Sequence, residues 1–481
     1  MKKTTLISGY VWLLAWMLGG LQADEVIELD WGPFASEWHD VSGNQRQRYL
    51  GPFVEYIESP EEDTALALRP LFHTWLQKDQ DFRRTEIVWP LYVYRIRENS
   101  SYWRFLLNFG WNWDVNDSNS RWRLWLLPFY FQGRDVNGEN YMALFPLGGS
   151  IREFAFWDRI DFALFPLAIR SYKKKMVTNT LLWPIFSKTT GPGSKRMRVF
   201  PFYGFTEYEN VGRKTFILWP FYTQVNYMIP QSLGKGWILF PLFGHMKLSD
   251  QETWWFIPPL FRYSVGEEQN RIYGPWPLFQ KESGVVDKFY LFPLYGRKES
   301  AGYKQQFFLW PLGHYESAER DTGTRKKFYF FPFVQYYYAN PSEWVSPTPD
   351  GETTYLKIWP LFSNATKHSG DSHRFAFFDF NPMKGGPIER NYAAFWQVYV
   401  YARVDDRVDK EVLWGFYRSA KRGDDYQYRS LFPFFNYKRD RNEDEKHFQL
   451  FKGLIGRQRV GEKKRWQFLY LFHFGDKDLA Q

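Results

Sequence analysis

Cysteine does not occur in this 481-residue chain. That excludes disulfides, thiolate metal sites and a lipid-acylated cysteine, so an exported form must hold together by packing and backbone pairing alone. Histidine is scarce, with 8 residues: His39, His73, His245, His314, His368, His373, His447 and His473. No two of them stand at the one-turn helical spacing of a zinc site. His73, His245 and His314 follow prolines by three or four residues and read as polar strand ends. His368 and His373, with Asp371 between them, read as a solvated loop. Long apolar runs are missing beyond the first two dozen residues, so no later segment is expected to cross a membrane as a helix.

Catalytic signatures are equally thin. There is no G-x-S-x-G elbow and no recognisable Ser/His/Asp set. Residues 189–196 (TTGPGSKR) superficially resemble a phosphate loop. They lack the spacing of one, and Pro192 removes an N–H where backbone donors are needed, so a turn is expected. The carboxylate pairs Asp405-Asp406 and Asp424-Asp425 lie in polar links and read as solvated turns. The expectation is a protein that is not an enzyme and uses no cofactor or metal. A glycosidase with acids on separate strands is the remaining enzymatic alternative, since it would leave no local motif.

What is abundant is aromatic. Trp 24, Tyr 32 and Phe 47 together make 21% of the chain, beside 24% charged residues. A sequence both ring-rich and charge-rich must segregate the two over short intervals, which short strands between polar turns do and long amphipathic helices do not. The net charge of +9 is mild for the length. With export, it argues against nucleic acid as a partner. Residues 1–23 begin with Lys2 and Lys3, continue through an apolar run from Leu6 to Leu21 and end on Ala23 before Asp24, the order of a signal peptide. The remainder, residues 24–481, is expected to be one exported β-repeat domain.

The rings recur in a fixed phrase: aliphatic, Trp or Phe, Pro, Leu or Phe, then usually an aromatic. Leu291-Phe292-Pro293-Leu294-Tyr295 is one copy, and Val88-Trp89-Pro90-Leu91-Tyr92 and Leu218-Trp219-Pro220-Phe221-Tyr222 are others. The central prolines are Pro70, Pro90, Pro128, Pro146, Pro166, Pro184, Pro201, Pro220, Pro241, Pro259, Pro277, Pro293, Pro311, Pro332, Pro360 and Pro433, mostly 16 to 21 residues apart. Copies without proline keep the beat, at Phe105-Leu106-Leu107-Asn108, Phe377-Phe378-Asp379-Phe380, Phe395-Trp396-Gln397-Val398, Leu413-Trp414-Gly415-Phe416 and Leu450-Phe451-Lys452-Gly453. About two dozen copies of a unit of ~19 residues fill the chain.

Polar turn clusters between the copies give an all-β antiparallel meander. Proline in each apolar run excludes helix, but it also removes a ladder hydrogen bond from an interior strand. Two readings follow. In the first, each unit is one long strand kinked at proline, and the array closes as a large β-barrel in a bacterial outer membrane. In the second, each unit is two short strands meeting at a proline corner, stacked as a solenoid or cocoon. The apolar middle on both faces of residues 214–226 argues against a water-filled porin.

The functional expectation is a cell-envelope protein with a channel, transport or scaffold role and outer-membrane lipid as partner. The alternative is a secreted or periplasmic repeat protein that binds glycans through aromatic faces. The rhythm lengthens between Pro332 and Pro360, so Tyr336, Tyr337, Tyr338 and Trp344 form the candidate binding loop.

Overall fold

The computed structural model describes residues 26–320, 323–340, 352–367, 372–382 and 386–476. The expected signal peptide, Trp344, His368 and Asp371 lie outside the described residues. Among the described residues forty-six strands are present, most of them six residues long. The all-β antiparallel meander stands, and each ~19-residue repeat contributes two strands rather than one.

The proline explains why. In Val88-Trp89-Pro90-Leu91 the Leu91 N–H donates to the Val88 carbonyl at 2.9 Å, in Leu218-Trp219-Pro220-Phe221 the equivalent bond is 2.7 Å, and in Leu291-Phe292-Pro293-Leu294 it is 2.8 Å. Proline is therefore the third residue of a four-residue turn, and the bond before it is cis, the arrangement of a type VI turn. Its missing N–H falls where no neighbouring strand needs a donor. All sixteen repeat prolines lie in such corners between strands. Period-two alternation does not run through a turn, which is why both faces of residues 214–226 looked apolar in the middle.

The copies that lost proline bend by other means. Trp414 and Lys452 take left-handed φ angles of 56° and 54°, each followed by a glycine, Gly415 at 98° and Gly453 at 113°. Only glycine adopts the second of those angles without strain. A Cβ on Gly415 would also stand 3.1 Å from the Gly32 carbonyl oxygen.

Contacts divide the chain into two compact units, residues 1–60 with 406–481 and residues 61–405. The first holds four N-terminal and eight C-terminal strands. Here Trp38 and Ile27 pack with Ala420, Tyr426 and Tyr428, so the two meanders of this unit meet face to face. Ile27–Asp30 pairs with Ala35–His39, and Phe472–Gly475 pairs with Lys463–Phe468. No described ladder joins the first strand to the last. The barrel closure of the first reading is therefore not found, and proline corners between short strands match the second. The physical reason is visible in the side chains: Asp30, Trp38 and Arg48 engage the opposite meander through their faces, not through a free strand edge.

The second unit holds thirty-four described strands, each paired antiparallel with the next. Its register is regular enough that side chains line up in rows across many strands. A core cluster of Trp125, Phe131, Ala143, Ile151 and Phe162 comes entirely from one face of such rows.

Candidate functional site

Each hairpin of the second unit has two unlike ends. At one end stand the proline turns. Successive turns bond to each other, with Trp183 N–H on Pro166 O at 2.8 Å, Trp219 on Pro201 at 2.7 Å and Trp310 on Pro293 at 2.7 Å. Their rings touch as well: Phe165–Trp183 centroids are 5.9 Å apart, Phe200–Trp219 5.4 Å and Phe292–Trp310 5.3 Å. The outward side chains of these turns are apolar and exposed. Leu218, Trp219 and Phe221 are 52%, 51% and 55% accessible.

The stripe continues onto the first row of one sheet face, where Ile217, Tyr222, Leu239, Phe243, Phe256 and Phe261 stand opposite one another in turn. At the other end of the same strands, on the same face, the row reads Arg213, Asn226, Lys235, Lys247, Glu252, Val265. One row is hydrocarbon and the other is polar, four residues apart along each strand, or about 13 Å.

The opposite face carries cations between rings. Arg262 lies 5.7 Å from the ring of Trp255 and 5.7 Å from that of Tyr273, and Lys288 stands over Tyr273 and Tyr290. Tyr273 donates to Glu282 at 2.6 Å. Burial, together with that bond and the Glu282 charge, pushes its phenol up to about 12. Burial and the neighbouring Arg271 lower the Arg262 guanidinium, with Tyr273 and Glu282 opposing.

Of the candidate loop, the tyrosines fall among the described residues and Trp344 does not. Tyr336, Tyr337 and Tyr338 belong to the strand Val334–Asn340, where they pair with Leu356, Tyr355 and Thr354. They are ladder residues of a seven-residue strand, one residue longer than most in the chain. The described break in the meander comes later. Between the paired strands Ser372–Phe377 and Tyr399–Val404 the chain leaves the sheet and forms the helix Gly386–Tyr392. The two copies read at Phe377-Phe378 and Phe395-Trp396 are the ends of this excursion. Its signal was present in Asn381-Pro382 and in Gly385-Gly386-Pro387, a breaker cluster with proline near a helix start.

This strap ties distant strands of the second unit together. Asp379 lies 2.8 Å from the fully buried Lys357 Nζ, and Gln335 donates to the Pro382 carbonyl. Further on, Asn391 Nδ2 donates to Glu86 at 2.5 Å, Arg390 Nη2 to Glu86 at 3.2 Å, and Tyr392 Oη to the Trp89 carbonyl at 2.6 Å. Glu86 is completely buried. Burial works against its charge, but Asn391, Arg390 and Arg84 together hold its carboxyl below the usual range.

In the first unit the facing meanders are joined by charge. Tyr428 donates to Asp30 at 2.7 Å, Arg48 to Glu411 at 2.5 Å, and Arg418 to Glu411 at 3.1 Å. Arg418 also lies 4.0 Å over the Trp38 ring.

The remaining sequence candidates fall in place as ordinary surface. Pro192 and Gly193 form a two-residue hairpin turn between Phe186–Gly191 and Ser194–Val199. Asp405-Asp406 and Asp424-Asp425 sit at hairpin turns. His373 is a strand residue bonded to Asn364 at 2.5 Å. Among the described residues no three His, Asp or Glu side chains converge as metal ligands. In comparison with known proteins, no family model matches the chain and no curated protein matches its sequence.

Proposed function

We propose that this chain is a non-enzymatic scaffold of a bacterial cell envelope, seated in one leaflet of a membrane by its proline-turn edge. The observation that carries the reading is the placement of exposed Leu, Phe and Trp at one end of the strands and of Lys, Arg and Asn at the other. Soluble proteins rarely expose contiguous apolar patches beyond a few hundred Å², whereas Trp and Tyr above an apolar rim suit the lipid–water boundary. The signal-peptide order of residues 1–23 is consistent with delivery to that compartment.

Strand length favours one leaflet over a full crossing. A membrane-spanning strand needs about 9–11 residues for a hydrocarbon layer of ~30 Å. The strands here are mostly six residues. The turn and the first row of side chains cover about 10 Å, at ~6.8 Å per pair of residues, which is less than one leaflet.

Cell fractionation with the native leader tests this. The mature chain should float with membranes through a density gradient, stay with them in 1 M salt and be released by detergent. Recovery as a soluble periplasmic or secreted protein without detergent would overturn the reading.

A further inference from the structure

We infer that a cleft on the lipid-row face of the second unit, towards its polar end, binds an oligosaccharide, with Trp122 as the stacking platform. This goes beyond the proposed seat in lipid and uses different residues. The cleft follows from the register. Ser101, Asn112, Trp122, Arg134 and Asn140 stand opposite one another across five consecutive strands, and Trp103, Gly110, Leu124, Gln132 and Met142 form the neighbouring row on the same face.

Side-chain size then shapes the surface. Gly110 has no side chain, and a Cβ there would come within 2.2 Å of the Trp103 Nε1, so the Trp103 ring lies across its neighbour's position. Two hollows result on either side of Trp122, of about 270 Å³ on the Trp103 side and about 440 Å³ on the Gln132 side. Five strands at ~4.8 Å spacing make a strip of about 19 Å, room for a short chain of pyranose rings rather than a single one.

The lining chemistry fits a sugar better than the other occupants. Indole faces with a few amide and hydroxyl groups are what a ring with an apolar C–H face and equatorial hydroxyls requires. No carboxylate lines either hollow, and Arg134 is engaged by Asn140 at 3.0 Å and by the Ser118 carbonyl. Gln132 accepts from Tyr130 at 2.8 Å through its oxygen, which turns its two N–H donors to the ligand. An acyl chain would leave the Gln132 N–H donors without a partner, at the cost of an unmet buried polar group. The preferred ligand is accordingly a neutral oligosaccharide.

The test is calorimetric titration of the full mature chain, in a detergent without a sugar headgroup, with hexasaccharides of glucose and of N-acetylglucosamine. At least one should bind, and W122A should weaken it about tenfold or more, the scale of one lost stacking contact. Q132A should weaken it less, and W276A, an exposed Trp on a distant proline turn, should leave it unchanged. If W122A does not fold, W122F with retained binding and Q132A with reduced binding make the same case. No binding of any hexasaccharide at 10 mM, or full binding by W122A, overturns the inference. Flotation with membranes should be the same for W122A and the parent chain, so failure here is separable from failure of the lipid reading.

Discussion

Single residues set the chain's response to acid. Asp30, Asp40 and Glu411 of the first unit are all held below the ordinary carboxylate range. Burial pushes each of them up. It is outweighed at Asp30 by Arg418 and Lys452, at Asp40 by Arg46, and at Glu411 by Arg48 and Arg418. Asp409 goes the other way, raised by burial and by the nearby Asp40 despite its bond from Arg422. A carboxyl lowered on folding contributes stability that is present above its unfolded value and lost as pH falls through its folded one; a raised carboxyl does the reverse. Three lowered groups outnumber one raised group, so this unit should lose stability below about pH 4, near the unfolded carboxyl values. Urea midpoints at pH 7, 4 and 3 check it: a clear fall across the last interval is expected, and a flat or rising midpoint contradicts the network.

At the scale of elements, the strap from Asp379 to Tyr392 departs from the repeat and is fastened through the buried charges of Lys357 and Glu86. Glu86→Ala would remove the acceptor shared by Arg84, Arg390 and Asn391. Breaking one side of a buried ion pair costs about 3–5 kcal/mol. The loss should fall on the docking of Gly386–Tyr392, seen as faster amide hydrogen exchange in that helix while the strands around Trp254 keep their protection. Equal loss of protection in both would mean that the strap is not a separate fastening.

The breaker residues around Pro382 and Pro387 mark the strap in the sequence, but nothing there marks its partners. The repeat was legible because proline and aromatic residues recur at fixed spacing, and all-β followed from it. The corner was half legible: Pro220 in an apolar run signalled a problem for a long strand, but only the Phe221 to Leu218 hydrogen bond shows that the run is two strands. The long interval from Pro332 to Pro360 read as a loop, and it did not show that Tyr336, Tyr337 and Tyr338 extend a strand within it. Glu86 and Asn391 are 305 residues apart, and no local pattern links them.

For the whole molecule, a long apolar edge differs from a compact hydrophobic patch in how its binding free energy is shared out. Each proline turn presents one or more exposed apolar side chains, and fully burying a Leu or Phe is worth roughly 1.5–3 kcal/mol. In the proposed membrane seat, attachment would sum over many equivalent turns, as binding through buried apolar area does, with no single turn dominating it. Phe221→Asp alone should leave the protein in the membrane fraction. Aspartates placed together at Leu167, Ile185, Phe202, Phe221 and Leu242, five consecutive corners, should weaken flotation measurably. High salt should change neither result, because the edge is apolar, whereas attachment through the Lys- and Arg-rich hairpin end would weaken with salt. Release by salt with retention of the five-aspartate variant would put the opposite edge against the lipid.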